Sequence, residues 1–486
     1  MSRSVMLYAV VLSSCSGPET STDSNGTDDT SAIAHPGALV PASCAAQADN
    51  VLRYDCLIER ETAGAVTVTV TSVDGMTREF TSDASETLHE VTLWGLAEDT
   101  VHDWVATMAD EAGQLDGSFT TSAVPSSASL STEISGTGVF DGLLVRNCDA
   151  TGVISVINPA GQTIWYEDMA AHIGASSNAE IDGYSYTDDG GFVAILNQTY
   201  VVEVAATGAL RLSLDVRDLG LTGLLHHDVY KRDGLIYTLY AFEEDGLVLD
   251  GVYILSDAGE LVGELDTTNA FNPGTVVSGE SGGGGAGGGG FWSQEFPGAE
   301  EVAHANSVFA DAQGDVLVSF RYLSSIVMYD GDPASADFGS KVWAIVGGDA
   351  PAFDSDFDIT SSVTGDLAFE DEHCAQISPN GRVTLFDNGD RGDASRGLVM
   401  ELDDASGTAD IVGAYEVGES CDVQSGMYEL HDESVLVTCA SSTRVMQFEA
   451  GVSAPVWELD ITCEGSGGGM GGGPGSMIPR GIPVTF

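Results

Sequence analysis

Positive charge is what this 486-residue chain has least of: 16 Lys and Arg stand against 75 Asp and Glu, for a formal charge of −59. That balance excludes a nucleic-acid binder working through phosphate contacts, which needs a basic face. It also excludes docking on anionic lipid through a polybasic patch. The acidity fits solubility, including in a salty medium where self-repulsion is screened. Long apolar runs are scarce too, and beyond the N-terminus no segment suits a bilayer-crossing helix. No Cys-x-x-Cys or His-x-x-x-His spacing suggests zinc. The glycine-rich runs Gly282–Gly290 and Gly467–Gly473 lack the strand-to-helix setting, Lys and Ser or Thr of a phosphate loop. They are low-complexity insertions; nucleotide binding is rejected and no cofactor is expected.

What is present points to strands. Sixty glycines and 43% hydrophobic residues fit a globular, turn-rich chain long enough for two domains and linkers. Met1-Ser2-Arg3, the apolar Val5 to Leu12 and then Leu12-Ser13-Ser14-Cys15 read as a short signal over residues 1–14. Leu-Ser-Ser-Cys resembles the bacterial lipobox, which implies lipidation of Cys15 and a protein tethered outside the cytoplasm, periplasmic or at the cell surface. The alternative is a leader with an incidental Cys. Residues 15–43, rich in Ser, Thr, Asp, Gly and Pro, form a disordered tether. With Cys15 lipidated, seven cysteines remain, and an odd count leaves at least one thiol unpaired within the chain. Cys44–Cys56 and Cys421–Cys439 are the local pairings to expect.

Residues 44–125 carry short period-two strands, at Val66–Thr71, Glu90–Leu93, His102–Met108 and Gly117–Thr121, as in a β-sandwich. Leu93-Trp94-Gly95-Leu96 with Thr100, then Phe119-Thr120-Thr121-Ser122, resembles the closing half of a fibronectin type III module, with His102 where that family keeps a Tyr. Such a module is a spacer with no assigned chemistry. Over residues 126–486 a longer unit recurs: a Gly-containing turn, an apolar strand, a second strand and often a closing Trp. Its apolar strands are Val153–Val156, Phe192–Leu196, Leu235–Leu239, Val316–Ser319, Val383–Phe386 and Val435–Thr438, with Trp165, Trp343 and Trp457 closing three units. Six such units predict an all-β, six-bladed propeller. A large β-sandwich would leave the recurrence unexplained.

In a propeller the innermost strands face one another around the axis. His227, His304 and His373 each stand before a turn and strand, seven, ten and eight residues ahead of Gly234, Gly314 and Gly381. Three imidazoles are therefore expected at one channel mouth, whereas a lone His would be only a satisfied core or surface residue. His226 adjoins His227, and strand alternation lets only one of them reach the axis; the shared spacing selects His227. Asn306 and Arg321 join the set. Three imidazoles plus water would make a catalytic zinc site, but a fixed guanidinium beside a divalent cation costs Coulomb energy. The planar fork of Arg321 suits a tetrahedral oxyanion instead. Asp354-Ser355-Asp356-Phe357-Asp358 has alternating carboxylates but lacks the Gly and distal Glu of a calcium loop, so it reads as solvated.

His304-Ala305-Asn306-Ser307, Ser319-Phe320-Arg321-Tyr322, Trp343 with Gly347-Gly348, and His373 leading to Phe386-Asp387-Asn388-Gly389 resemble the bacterial aryl-sulfate sulfotransferases. His226-His227-Asp228 matches their upstream motif. The resemblance runs from about Gly142 to the C-terminus. It implies a periplasmic six-bladed propeller that moves a sulfuryl group from a phenolic sulfate donor to a phenol acceptor without a nucleotide sulfate. By motif, His373 corresponds to the nucleophile that becomes sulfated. His227, His304, Asn306 and Arg321 correspond to residues holding the sulfuryl group, and His226 is expected with Asn306 among the substrate-binding residues. Cys374 replaces the Asp that usually follows the nucleophile, which leaves the orientation of His373 to the Cys374 backbone or to Asp387. The competing possibility is a non-catalytic propeller lipoprotein that binds a ligand or partner at the cell surface.

Overall fold

The computed structural model describes residues 43–60, 63–108, 114–273, 291–348, 354–389, 394–463 and 477–485. Cys15, the signal, almost all of the tether and both glycine-rich runs lie outside the described residues. The first region packs a three-stranded sheet (Ser43–Ala46, Tyr54–Glu59, Leu88–Leu93) against a four-stranded one (Thr77–Thr81, Val66–Ser72, Val101–Met108, Gln114–Thr120). Alternation in Val66–Ser72 explains this packing: its valines are buried and its threonines half-exposed. Ile58, Val68, Leu93 and Trp104 fill the space between the sheets. A ring nitrogen of buried His102 lies 3.2 Å from the Ala97 carbonyl, tying its strand back to the preceding turn. Asn50 and Arg53 reach the Tyr166 carbonyl and Glu167 of the second region.

From Ser131 onward the described residues form six further sheets. The second to sixth are each built on a four-strand meander, the third, fifth and sixth with a fifth strand added, and the first is a three-strand meander joined by the C-terminal strand. Their first strands are Ile181–Tyr186, Leu224–Arg232, Ala305–Ala310, His373–Ile377 and Gly426–Glu429 in the second to sixth sheets. In the first sheet the C-terminal strand Ile482–Val484 takes that place beside Gly142–Arg146. Five of the six apolar strands singled out in the sequence are the second strand of a sheet; Val153–Ile157 comes third because the chain end is inserted ahead of it. Trp165, Trp343 and Trp457 lie on the outermost strand of their meanders.

An apolar layer lies between every successive pair of sheets. Trp165 and Phe192 stack between the first and second, and Val318 packs with Leu239 between the third and fourth. Leu143 and Val145 of the first meet Leu436 and Leu459 of the sixth. Both ends of this second region interlock with the set, since Ser131–Gly136 pairs with Trp457–Thr462 of the sixth sheet and Ile482–Val484 with the first. The disulfide Cys148–Cys463 fastens the first sheet to the sixth across 315 residues. Cys44–Cys56 and Cys421–Cys439 pair as the sequence suggested, and among the described residues Cys374 is the free thiol, which is buried.

The long-range bridge closes the largest loop in the chain, so its loss should loosen the unfolded state most. In a chain-entropy account such a bridge stabilises by about 5 kcal/mol. The double variant Cys148→Ala/Cys463→Ala is expected to melt roughly 5 °C lower than the parent by calorimetry. An unchanged midpoint would show that the sheets close without it.

Candidate functional site

The first strands of the third, fourth and fifth sheets each carry a bulge, between Leu225 and Val229, Ala305 and Ser307, and His373 and Gln376. At these breaks the backbone turns to positive φ at residues that are not glycine: His227 at 54°, His304 at 56° and Cys374 at 57°. Such conformations cost of order 1 to 3 kcal/mol each and persist only where surrounding contacts impose them. Two cross-sheet bonds do so here. The Val308 amide donates to Asp228 Oδ2 at 3.0 Å, and the Ala375 amide to Ser307 Oγ at 3.0 Å.

The bulges bring the three predicted imidazoles together. His227 and His304 have ring centroids 4.9 Å apart, and His373 lines the same cavity as His227. The bulge also defeats strand alternation at His226. Instead of turning away, His226 lies behind His227 with the two Nδ1 atoms 2.8 Å apart, and it is only 2% exposed. It packs edge-on against Trp292 and does not line the cavity at the histidines. The equal-spacing argument holds only loosely, because His227 lies inside its strand, His304 just before its strand and His373 at the first residue of its own.

His373 is held from behind. Its Nδ1 is 2.9 Å from the Asp371 carbonyl and 2.8 Å from Asn388 Oδ1. Asn388 is oriented by its amide nitrogen, which donates to the Cys421 and Gln424 carbonyls, so its oxygen faces the ring. Two acceptors at Nδ1 require a proton there. A neutral His373 therefore carries its lone pair on Nε2. Neither the Cys374 backbone nor Asp387 orients the ring. Asp387 instead accepts from Arg396 Nε at 2.9 Å and from the Glu370 and Gly389 amides.

Burial pushes the His373 imidazole well below its ordinary range, and the Arg321 guanidinium adds to this. His227 keeps a partly exposed edge, yet burial of most of the ring, with His304, His226, His373 and Arg480 nearby, lowers it well below 6.5 too. Glu372, next to the nucleophile candidate, is driven well above the usual carboxylate range by burial and so stays protonated. Arg321 is fixed through Nη2 to Asp371 at 2.9 Å and to the Asp422 carbonyl at 3.1 Å, while its buried Nε has no partner among the described residues. Asn306 donates to the Glu372 carbonyl at 2.6 Å. His304 Nδ1 contacts Glu301 Oε1 at 2.5 Å.

Sequence reasoning missed Arg480, which enters from the C-terminal segment. Burial works against its charge, but the Asp228 carboxylate, 2.6 Å away, holds it ionised, and its other contacts are the His227 carbonyl and Cys374 Sγ at 3.9 Å. Burial raises the Cys374 thiol, so it remains neutral. His227, Asn306, His373, Gln424 and Arg480 surround a cavity of about 20 Å³, room for roughly one water. Above it, half-exposed Phe291 lies 4.9 Å from the His227 ring and Tyr322 lies 4.9 Å from His304. Asp356, from the rejected calcium-loop segment, pairs with Lys341 and the Ala344 amide far along the same sheet. Among the described residues, no group of three or more His, Cys, Asp or Glu is arranged to hold a metal ion.

The neutral histidines make a pH signature. In the unfolded chain each titrates near 6.5, whereas the folded state refuses the proton, so acidification below about 6.5 favours unfolding. Asp182, pushed up to about 7 by burial, works in the opposite sense but cancels when variants are compared. The stability difference between His373→Gln and the parent should move toward the variant by about 1.4 kcal/mol per pH unit below 6.5. Denaturant titrations at pH 7.5, 6.0 and 5.5 measure it; a constant difference would show that folded His373 protonates normally.

Residues 276–459 match the model of a family described as arylsulfotransferase (ASST). No curated protein matches the chain. Among solved structures, a Bacteroides caccae protein of unknown function aligns at 12% identity and TM-score 0.43, over 71% of this chain and 99% of its own. Virginiamycin B lyase from Staphylococcus aureus aligns at 8% identity and TM-score 0.35, over 69% of this chain and 99% of its own. The C-terminal WD40 domain of Sif2 aligns at 10% identity and TM-score 0.34, over 68% and 74%. Likeness at this level carries no functional argument.

Proposed function

From the arylsulfotransferase region at residues 276–459, we propose that the protein is an extracytoplasmic aryl-sulfate sulfotransferase that passes a sulfuryl group from a phenolic sulfate to a phenol through His373. The six sheets are taken as blades of one propeller over residues 126–486. The sandwich over residues 44–125 serves as a fibronectin type III-like pedestal, and its 3 + 4 strand arrangement supports that assignment. Cys15 is proposed as the lipid anchor to the bacterial outer membrane.

The observation that carries the chemistry is the fixed proton of His373. With Nδ1–H committed to Asn388 and Asp371, the lone pair on Nε2 is free to attack sulfur. The N–S bond forms as the S–O bond to the phenol breaks, and the phenolate leaves with the electron pair. The ring becomes positive at that moment, and the two oxygens at Nδ1 stabilise the charge. The unpaired Nε–H of Arg321 and the second amide hydrogen of Asn306 are donors for sulfuryl oxygens. Protonated Glu372 presents no charge to repel them. His227 and His304, the latter held through Nδ1 by Glu301, are the two imidazoles from which a proton for the leaving oxygen can come. Phe291 and Tyr322 offer ring faces to the aryl group. A phenol then attacks the sulfuryl group from the same side, restoring His373. A passive surface binder would have no use for a buried imidazole with its lone pair so fixed.

Turnover of a chromogenic aryl sulfate with varied phenol should give parallel double-reciprocal lines. Arg321→Lys keeps the charge but loses the fork, so kcat/KM should fall on the order of 10²-fold while the melting temperature barely moves. Intersecting lines, or full activity in Arg321→Lys, would overturn these assignments.

A further inference from the structure

Behind His227 lies a chain of polar groups that the transfer chemistry above does not use. His226 Nδ1 is 2.8 Å from His227 Nδ1, and His226 Nε2 is 3.2 Å from Asp250 Oδ1. Both His226 Nε2 and Asp250 Oδ1 are buried, and neither makes an aligned hydrogen bond to any described residue, so their 3.2 Å approach is a contact of ion-pair distance between two groups that have no other partner among the described residues. Asp250 is anchored on its second oxygen, which accepts from the Ala305 amide at 3.0 Å. His226 and Asp250 are each about 2% exposed, and neither lines the cavity at the histidines.

We propose that Asp250 and His226 position the proton of His227, leaving Nε2 of His227 as the base that receives the proton of the acceptor phenol. A carboxylate can only accept, so the proton of neutral His226 sits on Nε2 facing Asp250. His226 Nδ1 then offers a lone pair, and His227 must donate to it from Nδ1. The remaining lone pair of His227 is on Nε2. His227 and His373 line the same cavity, which puts that lone pair beside the sulfuryl group. The lowered basicity of His227, set by burial and by its His and Arg480 neighbours, keeps it unprotonated before the step.

Given the sulfotransferase assignment, the second half-reaction balances as follows. The phenol oxygen forms its bond to sulfur, the N–S bond breaks, and its electron pair returns to His373 Nε2. The phenolic proton moves to His227 Nε2, making an imidazolium whose Nδ1–H still points at His226. In the next cycle that proton is available to a departing phenolate. His226 and Asp250 touch no reacting atom; they are positioning residues.

The test is Asp250→Asn. The Ala305 amide still requires an oxygen, so the new amide must turn its NH2 toward His226 Nε2. His226 then carries its proton on Nδ1 and donates it to His227, whose own proton shifts to Nε2. Nitrogen NMR of protein labelled on histidine, with His227 assigned by His227→Gln, should report Nδ1–H in the parent and Nε2–H in Asp250→Asn. Sulfuryl transfer from the loaded enzyme to phenol should slow on the order of 10²-fold, with KM for the donor little changed. An Nε2–H tautomer in the parent overturns the proposal even if the variant does not fold. So does equal transfer in both proteins. If the parent forms no sulfuryl enzyme at all, the sulfotransferase assignment fails instead, and the NMR result still decides the proton position.

Discussion

One buried ion pair joins the closure of the molecule to the geometry of its site. Arg480 comes from the last described segment, just ahead of the strand that completes the first sheet, and its guanidinium meets Asp228 on the first strand of the third. The same guanidinium holds the His227 carbonyl at the bulge, while Asp228 also takes the Val308 amide of the fourth sheet. Removing either partner would leave a buried charge alone, a cost of about 3 to 5 kcal/mol. The positive-φ backbone at His227 is thus held partly by a contact, from Arg480 to its carbonyl, that exists only when the C-terminal segment is in place.

The second theme is the economy of charge. A chain with formal charge −59 sets two buried guanidinium groups beside histidines kept neutral by burial. Glu372, the carboxyl closest in sequence to His373, is neutralised by the same means. The site therefore combines a positive field with an unprotonated imidazole, two features that usually oppose each other. Arg321 contributes to both, since its charge depresses His373 and its buried Nε has no partner among the described residues. The neutral Cys374 thiol fits this pattern. Where the resemblance leads one to expect an acid beside the nucleophile, Asp228 supplies the carboxylate to Arg480 from another sheet.

Much of this was legible in the sequence because it is local. Each sheet is a meander of strands with turns between, and its apolar second strand with a glycine turn is a contiguous signal, as at Val316–Phe320 after Gly314. The short-span disulfides Cys44–Cys56 and Cys421–Cys439 were readable for the same reason. What could not be read depends on chain segments far apart. Arg480 and Cys463 act on partners 252 and 315 residues away, and nothing in their own neighbourhoods says so. His226 was misjudged because alternation assumes an unbroken strand, and the extra residues between Leu225 and Val229 break it. Asn388 was in view within Phe386-Asp387-Asn388-Gly389, but the carboxylate beside it drew the orienting role. The structure gives that role to the amide, whose two functions lock ring and loop together, and leaves Asp387 to Arg396. Phe291 and Glu301 had only weak signals: an aromatic pair following a glycine run, and an acid three residues before a histidine.

The central claim is that His373 carries the sulfuryl group on Nε2. Protein quenched after exposure to an aryl sulfate donor without phenol, then digested and sequenced by mass spectrometry, tests it most directly. One sulfuryl group on His373 is predicted, with none in His373→Ala and loss of the label when phenol is added before quenching. A competent enzyme labelled on another residue, or turning over with no label at all, would contradict the account.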